Sequence, residues 1–309
     1  MIVTVTPNPS VARTVFVDAL QLGKIMRSTR SWSEPSGKGV NVALALRAHD
    51  RPSLAVLPVG GPAGAHLVEM LNQAGLSYEA VPITGEVRIN ISLIQPDGIV
   101  TKINEQGPTL TEAEGQALLD AARTRAQPGE WLAGCGSLPG GLTDDYYAQI
   151  VETGHRAGAN VVIDTSGPPL VRALTAGPDL IKPNADELAD AVGGTVTTVG
   201  DVLDAAQELR ARGAKTVLAS LGADGALLVS AAGALHGAAP VADVVSTVGA
   251  GDAMLAGYLS ASAGTREALR AALAWGAAAV QHHGTLFTAT HHQVPVLLSD
   301  SVPVHQKLT

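Results

Sequence analysis

Residues 244–257 read Val-Val-Ser-Thr-Val-Gly-Ala-Gly-Asp-Ala-Met-Leu-Ala-Gly. The β-branched run Val244–Thr247 favours a strand, and an apolar helical pattern follows Asp252. A Gly-Ala-Gly turn between a strand and a helix leaves backbone N–H groups at the helix N-terminus, where the helix dipole also favours an anion. The stretch therefore predicts an anion site in an α/β protein.

The rest of the chain alternates short β-branched runs with amphipathic stretches. The predicted strands are Ile2–Thr6, Leu54–Pro58, Trp131–Cys135, Val161–Asp164, Leu180–Lys182, Thr216–Ser220 and Val244–Thr247. The helical patterns cover residues 40–49, 64–74, 111–126, 145–157, 201–212 and 266–281. This alternation is typical of βαβ units around a mostly parallel sheet, and it predicts a single α/β domain over residues 1–309.

Two regions depart from this rhythm. Residues 11–34 hold a strand-like piece, Thr14–Val17, followed by a polar run. Residues 87–104 alternate apolar and polar positions around Asp97-Gly98, which is typical of a β-hairpin. We interpret the two regions as a discontinuous small β-sheet that forms a candidate lid. The alternative is an ordinary surface hairpin.

Composition limits the function classes. Hydrophobic residues make up 46% of the chain and aromatic residues 3%, so the core is expected to be aliphatic. The net charge of −8 argues against broad binding of nucleic acid. The chain has a single cysteine and shows no signal-peptide pattern. Its apolar runs are all shorter than the ~20 residues of a membrane span. We therefore expect a cytoplasmic protein without membrane partners.

Asp252 is the candidate chemical group at the predicted anion site. Its carboxylate can take a proton from a hydroxyl that attacks a phosphoryl group, and phosphoryl transfer otherwise needs mainly positioning and charge stabilisation. The alternative is a helix cap in a glycine-rich protein. The chain has no Gly-x-x-x-x-Gly-Lys-Ser/Thr P-loop. A bound nucleotide would therefore depend on this site.

A second string, Ser36-Gly-Lys-Gly-Val-Asn41, lies near the N-terminus. With the Asp252 string it resembles the two signatures of the ribokinase (PfkB-type) carbohydrate kinases, in the expected order. Five further strings resemble the branch that contains 1-phosphofructokinase and tagatose-6-phosphate kinase. They are Arg88-Ile-Asn90, Lys102-Ile-Asn-Glu105, Gly136-Ser-Leu-Pro139, Asp164-Thr-Ser-Gly167 and Lys182-Pro-Asn184. The resemblance implies a ribokinase-like three-layer α/β/α sandwich with a mostly parallel central sheet and a small β-sheet lid.

The resemblance also implies an activity, which is ATP-dependent phosphorylation of a sugar phosphate, foremost of fructose 1-phosphate to fructose 1,6-bisphosphate. It makes Asp252 the general base and the backbone of Gly249, Ala250 and Gly251 an anion hole. Asn184 and Glu187 are expected to organise Mg²⁺ through water. The positions expected at the nucleotide are Lys182, Asn184, Glu187, Ser220, Gly222, Ala223, Gly225 and Gly284.

On the sugar side, Lys38 and Arg88 are the first candidates to hold a phosphate already on the substrate, because both are cations suited to phosphate oxygens. The resemblance also implies a homodimer formed through the lid. The full set of expected sugar-side residues is Gly37, Lys38, Asn41, Arg88, Asn90, Lys24, Arg27, Lys102 and Ser137.

The chain departs from the family pattern at the sugar side. Ala12 stands where the family usually has an Asp that binds sugar hydroxyls, and such a hydrogen bond contributes ~1–3 kcal/mol. Its loss implies weaker binding, another sugar, or compensation by Arg13 or Ser10. The alternatives left open are a tagatose-6-phosphate or fructose-6-phosphate kinase, a kinase of an unphosphorylated sugar or nucleoside, and a non-catalytic sugar-phosphate sensor.

Overall fold

The computed structural model describes residues 1–261, 265–282, 284 and 294–309. Its strands are β1 (Ile2–Val5), β2 (Ser10–Phe16), β3 (Arg30–Ser36), β4 (Ser53–Val59), β5 (Tyr78–Pro82), β6 (Arg88–Ile94), β7 (Val100–Ile103), β8 (Trp131–Cys135), β9 (Asn160–Asp164), β10 (Leu180–Ile181), β11 (Val217–Ser220), β12 (Ala226–Ser230), β13 (Gly233–Ala238) and β14 (Leu297–Ser299). Its helices are α1 (Lys38–Ala48), α2 (Gly61–Gln73), α3 (Glu112–Arg125), α4 (Tyr146–Arg156), α5 (Pro168–Leu174), α6 (Ala185–Val192), α7 (Val199–Ala211), α8 (Ala250–Ser260) and α9 (Thr265–Ala279).

The central sheet has ten strands in the described part of the chain, in the order β14-β13-β12-β11-β10-β9-β8-β1-β4-β5. In this spatial order, every pair of neighbouring strands between β11 and β5 is parallel. The strands β12, β13 and β14 add an antiparallel edge next to β11. The prediction of a mostly parallel sheet is confirmed. None of the helices among the described residues is long and apolar enough to cross a membrane.

Helices cover both faces of this sheet, because successive residues of each buried strand point to opposite sides. On one face, Leu132 of β8 packs in a core cluster with Leu118 of α3 and Ile150 of α4. On the other, Ala133 packs with residues of α1, α8 and α9 such as Leu255. The predicted three-layer arrangement is confirmed.

A separate four-stranded sheet, called here the small sheet, has the order β3-β2-β6-β7. β2 pairs antiparallel with β3 and parallel with β6, and β6 and β7 form an antiparallel hairpin around Asp97-Gly98. The predicted hairpin is confirmed. Of the predicted piece Thr14–Val17, residues Thr14–Phe16 belong to the longer strand β2, and Val17 follows its end. On one face, Val11 packs in a core cluster with Val40 of α1. The opposite face, called here the inner face, includes Ser10, Ala12 and Thr14.

The predicted strand Val244–Thr247 is wrong. These residues form no strand, and the backbone N–H groups of Val245 and Ser246 donate to the carbonyl of Val280, just after α9, at 2.8 and 3.1 Å. Val244 and Val245 are both exposed. The β-branched run thus caps the end of a helix instead of joining the sheet, and it places the following Gly-Ala-Gly turn beside that helix end.

Candidate active site

The site residues follow strands whose carboxyl ends meet at one edge of the central sheet. Asn8 follows β1, Ser137 follows β8, Asp164 ends β9, Lys182 follows β10 and Ser220 ends β11. β4 and β5 lie on one side of β1, whereas β8 and the strands after it lie on the other. Such a reversal of strand order opens a crevice at the carboxyl ends, where open α/β sheets bind ligands.

Asp252 lies in the first turn of α8 with only 8% of its surface exposed. Its Oδ2 accepts a hydrogen bond from Nδ2 of Asn41 at 2.7 Å. Burial, together with the nearby charge of Asp164, raises the pKa of Asp252 to about 6. A carboxylate with this pKa is mostly ionised at neutral pH and is a stronger base than an ordinary aspartate.

The turn before Asp252 is shaped by two glycines. Gly249 adopts the left-handed conformation, with φ of 78°, and is the N-cap residue directly before α8. A Cβ on Gly251 would lie 3.3 Å from Nζ of Lys182, so the absence of a side chain lets the ammonium group approach the helix. Helix geometry leaves the N–H groups of Gly251 and Asp252 without an intrahelical partner. A buried cation and free N–H groups therefore meet at the helix N-terminus, an arrangement suited to phosphate.

Asp164 is fully buried and connects two lysines. Its Oδ1 lies 2.8 Å from Nζ of Lys38, and its Oδ2 lies 3.3 Å from Nζ of Lys182. Burial favours the neutral acid, but the two ammonium groups hold the pKa of Asp164 below its usual value. Sequence reasoning assigned no role to Asp164. The available signal was a carboxylate at the end of the buried apolar run Val161–Ile163.

Lys38 belongs to the string Ser36–Asn41 expected at the sugar, and it contacts residues on the nucleotide side of the site. Besides Asp164 it contacts Glu187, with Nζ 3.3 Å from Oε1. Burial disfavours its charged form, but these two carboxylates raise the pKa of Lys38 above its usual value. Lys38 therefore carries a positive charge at neutral pH and neutralises the carboxylates of Asp164 and Glu187.

The expected nucleotide-side residues are brought together at β10 and β11. Asn184 and Glu187 form a capping box at the start of α6: the Glu187 N–H donates to Oδ1 of Asn184 at 2.7 Å, and Oε2 of Glu187 accepts from the Asn184 N–H at 3.0 Å. Asn184 also forms a parallel β-bridge with Ser220. The next residues make one exposed 3₁₀ turn, Gly222–Asp224, which contains Ala223.

Gly225 and Gly284 lie at positions that leave no room for a Cβ atom. A Cβ on Gly225, at φ of 91°, would collide with the carbonyl of Gly237 in the neighbouring strand. A Cβ on Gly284, at φ of 80°, would collide with the carboxylate of Glu34 on the small sheet. Gly284 is among the positions expected at the nucleotide, and the contact that the structure gives it is with the small sheet.

On the sugar side, Arg88 of β6 donates from Nη1 to the carbonyl of Glu105 and from Nη2 to the carbonyl of Asn8, both at 3.0 Å. Asn8 donates in turn to Ser137 Oγ at 3.3 Å. Asn90 donates to Ser10 Oγ at 3.2 Å. Since the Ser10 side chain lies on the inner face, these bonds connect that face of the small sheet with the carboxyl ends of β1 and β8.

The remaining sugar-side candidates differ in position. Gly37 is the N-cap residue directly before α1, with φ of 125°, and a Cβ there would lie 2.8 Å from the Thr6 side chain. Lys24 and Arg27 are exposed in the segment between β2 and β3, and Lys102 is exposed on β7. The structure thus brings Gly37, Lys38, Asn41, Arg88, Asn90 and Ser137 to the crevice region, whereas Lys24, Arg27 and Lys102 lie on the surface.

No group of three or more His, Cys, Asp or Glu side chains that could hold a metal ion occurs among the described residues. Glu187 and Asn184 are the oxygen donors that the sequence placed near a metal. They fit an ion that keeps several waters and is held mainly by substrate phosphates, which is the usual behaviour of Mg²⁺.

Together, a buried carboxylate with a raised pKa, an uncapped helix N-terminus and a buried lysine at the carboxyl edge of an α/β sheet define a site for phosphoryl transfer to a hydroxyl. Residues 7–292 match the pfkB family carbohydrate kinases. The 1-phosphofructokinase of Bacillus subtilis is 36% identical and covers 84% of this chain and 85% of its own length. The ATP-dependent 6-phosphofructokinase isozyme 2 of Mycobacterium tuberculosis is 34% identical and covers 82% and 76%.

Solved structures of carbohydrate kinases are similar to this chain as well. The tetrameric inhibited form of phosphofructokinase-2 from Escherichia coli has a TM-score of 0.88 at 31% identity and covers 94% of this chain and 96% of its own. Arabidopsis thaliana ribokinase, complexed with ribose and ATP, has a TM-score of 0.76 at 22% identity, covers 92% and 94%, and shows the ribokinase-like fold. The chain belongs to the pfkB family of carbohydrate kinases. The predicted family, the ribokinase-like fold and ATP-dependent sugar kinase activity are confirmed.

Proposed function

We propose that this kinase transfers the γ-phosphoryl group of ATP to the C6 hydroxyl of fructose 1-phosphate, which yields fructose 1,6-bisphosphate and ADP. The new bond joins the hydroxyl oxygen to the γ-phosphorus, and the bond between that phosphorus and the β–γ bridging oxygen breaks. The observation that supports the proposal is Asp252, a buried carboxylate with a pKa of about 6 at the N-terminus of α8. The 1-phosphofructokinase relative supports the choice of substrate.

Asp252 takes the proton of the attacking hydroxyl, and Asn41 holds its carboxylate in place through the 2.7 Å hydrogen bond. The N–H groups of Gly249, Gly251 and Asp252 face the transferring phosphoryl group. The N–H of Ala250 in the same turn donates to the carbonyl of Thr247 at 3.3 Å, so Ala250 contributes to the anion hole by shaping the turn. Lys182, next to Gly251, adds positive charge. Donors that are already oriented stabilise the charge of the transition state without reorganisation.

The phosphate already on the sugar requires local positive charge in a chain of net charge −8. Arg88 is the first candidate because its guanidinium is held by two backbone carbonyls and its Nε is buried without a partner among the described residues. A planar guanidinium with fixed orientation is well suited to phosphate oxygens. Lys24, Arg27 and Lys102 are secondary candidates because they are exposed.

Mg²⁺ is proposed to accompany the nucleotide, with Asn184 and Glu187 contacting it through water. Bound there, the ion would neutralise phosphate charge. The capping box fixes the Glu187 carboxylate at the start of α6, and Lys38 contacts its other oxygen.

The cytoplasmic location remains a prediction.

A homodimer through the small sheet is also proposed. The segment between β2 and β3 exposes Leu22 by 93% and Ile25 by 89%, and β7 exposes Ile103 by 53%. Apolar side chains exposed this far are typical of interaction surfaces. They belong to the small sheet and its connection, so a second copy of the chain that pairs there would cover them and add to the walls of the crevice.

The direct test is coupled ADP release with ATP and Mg²⁺ against fructose 1-phosphate, fructose 6-phosphate, tagatose 6-phosphate, fructose and ribose. We expect turnover with fructose 1-phosphate and a loss of at least ~100-fold in kcat for Asp252→Asn. Preference for fructose 6-phosphate or tagatose 6-phosphate would reassign the substrate within the same chemistry. Turnover of an unphosphorylated sugar alone, or binding without turnover, would contradict the proposal.

A further inference from the structure

Glu34 lies on the inner face of the small sheet, next to Ala12. In the strand register Ala12 of β2 lies directly opposite Glu34 of β3 and Asn90 of β6. Side chains of directly opposed residues point to the same face of a sheet. The three residues therefore form one row, in which Ala12 offers only a methyl group and its two neighbours offer polar groups.

The carboxylate of Glu34 is enclosed. The residue is 7% exposed, and its Oε2 accepts a hydrogen bond from Nε1 of Trp32 at 3.1 Å. It also lies against Gly284, where a Cβ would collide with it. Gly284 comes four residues after Val280, whose carbonyl accepts the hydrogen bonds of Val245 and Ser246 just before the Gly-Ala-Gly turn. Glu34 thus contacts, from the small sheet, the segment that follows α9.

The two neighbours proposed from sequence to compensate for Ala12 are placed differently. Arg13 lies opposite Ser33 and Ile91, one position away in the register, so its side chain points away from the inner face, and it is exposed. Ser10 lies on the inner face, where its hydroxyl accepts a hydrogen bond from Asn90. Asn90 Oδ1 is buried without a partner among the described residues, which leaves an acceptor for a ligand hydroxyl in the same row as Glu34.

We infer that Glu34 accepts hydrogen bonds from the hydroxyls of the sugar, in place of the carboxylate that position 12 lacks, with Asn90 Oδ1 as the adjacent acceptor. This inference rests on the proposed function, and it makes Glu34 a determinant of sugar specificity. A carboxylate accepts several hydrogen bonds at once, so the bond from Trp32 is compatible with bonds from a sugar. A hydrogen bond to an ionised acceptor in a closed site is among the stronger ones.

The test compares binding of fructose 1-phosphate without ATP, by titration calorimetry, for the wild-type chain, Glu34→Ala and Glu34→Gln. We expect binding about 10-fold to 100-fold weaker for Glu34→Ala, with Glu34→Gln between the two because the amide keeps one acceptor. Arg13→Ala is the matched control on the opposite face and is expected to bind like wild type. Thermal unfolding of each variant confirms that it folds.

The decisive variant is Ala12→Asp in the Glu34→Ala background, which moves the carboxylate one strand over on the same row. We expect it to recover at least tenfold in affinity. Unchanged affinity for Glu34→Ala, or no recovery by Ala12→Asp in a folded protein, overturns the inference. Wild-type binding without turnover would contradict only the proposed reaction, whereas no binding of any of the five compounds of the ADP assay would overturn both.

Discussion

Asn41 Nδ2 donates a 2.7 Å hydrogen bond to Asp252 Oδ2 across 211 positions of the chain. This contact joins the two strings that resemble the family signatures. It also limits the basicity of the site, because a donor to the carboxylate favours its ionised form and lowers the pKa of Asp252. Burial and the charge of Asp164 act in the opposite direction and prevail, so that the pKa is about 6. Substituting Asn41 and Asp164 one at a time tests how each residue changes the pKa of Asp252.

Asn41→Ala removes the donor, so the pKa of Asp252 is expected to rise. A base must be ionised to act, and activity therefore falls as the pH drops through its pKa. The acidic limb of the kcat/KM profile should move to higher pH in the variant. The phosphate of the substrate also titrates near pH 6, but that group is the same for both proteins. An acidic limb with an unchanged midpoint would contradict the assignment of Asp252 as the base.

Asp164→Asn should move the same limb to lower pH. The substitution removes a negative charge that raises the pKa of Asp252 and leaves the ammonium groups of Lys38 and Lys182 nearby. It also leaves Lys182, with 5% of its side chain exposed, without its counterion. We expect the free energy of unfolding to fall by about 3 kcal/mol, as when a buried ion pair loses one partner. Chemical denaturation and the pH profile measure the two effects independently, and a limb that moves upward would refute the charge argument.

The fold was predictable where local signals agree with the tertiary structure. The capping box of Thr111 and Glu114 marks the start of α3, and both of its hydrogen bonds are present. The run Val244–Thr247 has the composition of a strand, but a strand also needs a neighbour with free N–H and C=O groups. Here two N–H groups of the run donate instead to one carbonyl, that of Val280 just after α9. No local pattern contains that information.

The site was predictable to the extent that its residues lie in recognisable strings. Asp252, Asn41 and Lys182 were named in advance, and the structure brings them to one crevice. Asp164 was quoted only as part of a string and was given no role, and Glu34 was not named, because their importance depends on partners distant in sequence. For Asp164 these are the two lysines, and for Glu34 it is the register that sets it opposite Ala12.

Gly251→Val should impair catalysis through Lys182. The new side chain would begin 3.3 Å from Nζ of Lys182, and its further methyl groups would displace the ammonium group from the helix N-terminus. We expect a loss of at least ~10-fold in kcat, since one oriented charge in such a site contributes a few kcal/mol. Gly257→Ala is the control in the same helix: its Cβ would collide with Ala271, so it should lower stability without this loss in kcat. Equal kcat in wild type and Gly251→Val would contradict the role of Lys182.

Glu187→Gln separates the capping role of this residue from its proposed metal role. Glutamine completes the same capping box with Asn184, so thermal stability should change little. The variant loses the negative charge that faces Lys38 and the proposed ion, so the Mg²⁺ concentration for half-maximal activity should rise by at least about threefold. Titrating Mg²⁺ at fixed ATP gives this value. A variant whose half-maximal concentration matches that of wild type would remove Glu187 from the metal site.

Leu22→Asp with Ile25→Asp is expected to break the proposed dimer. The side chains are 93% and 89% exposed, so charges there cost the folded monomer little, whereas burying two carboxylates in an apolar interface is unfavourable. Sedimentation velocity of the wild-type chain should show a dimer, and the double variant should sediment as a monomer with an unchanged melting temperature. Val171→Asp, an exposed position on α5, is the matched control and should leave the dimer intact. A wild-type monomer, or a dimer in the double variant, would exclude the small sheet as the interface.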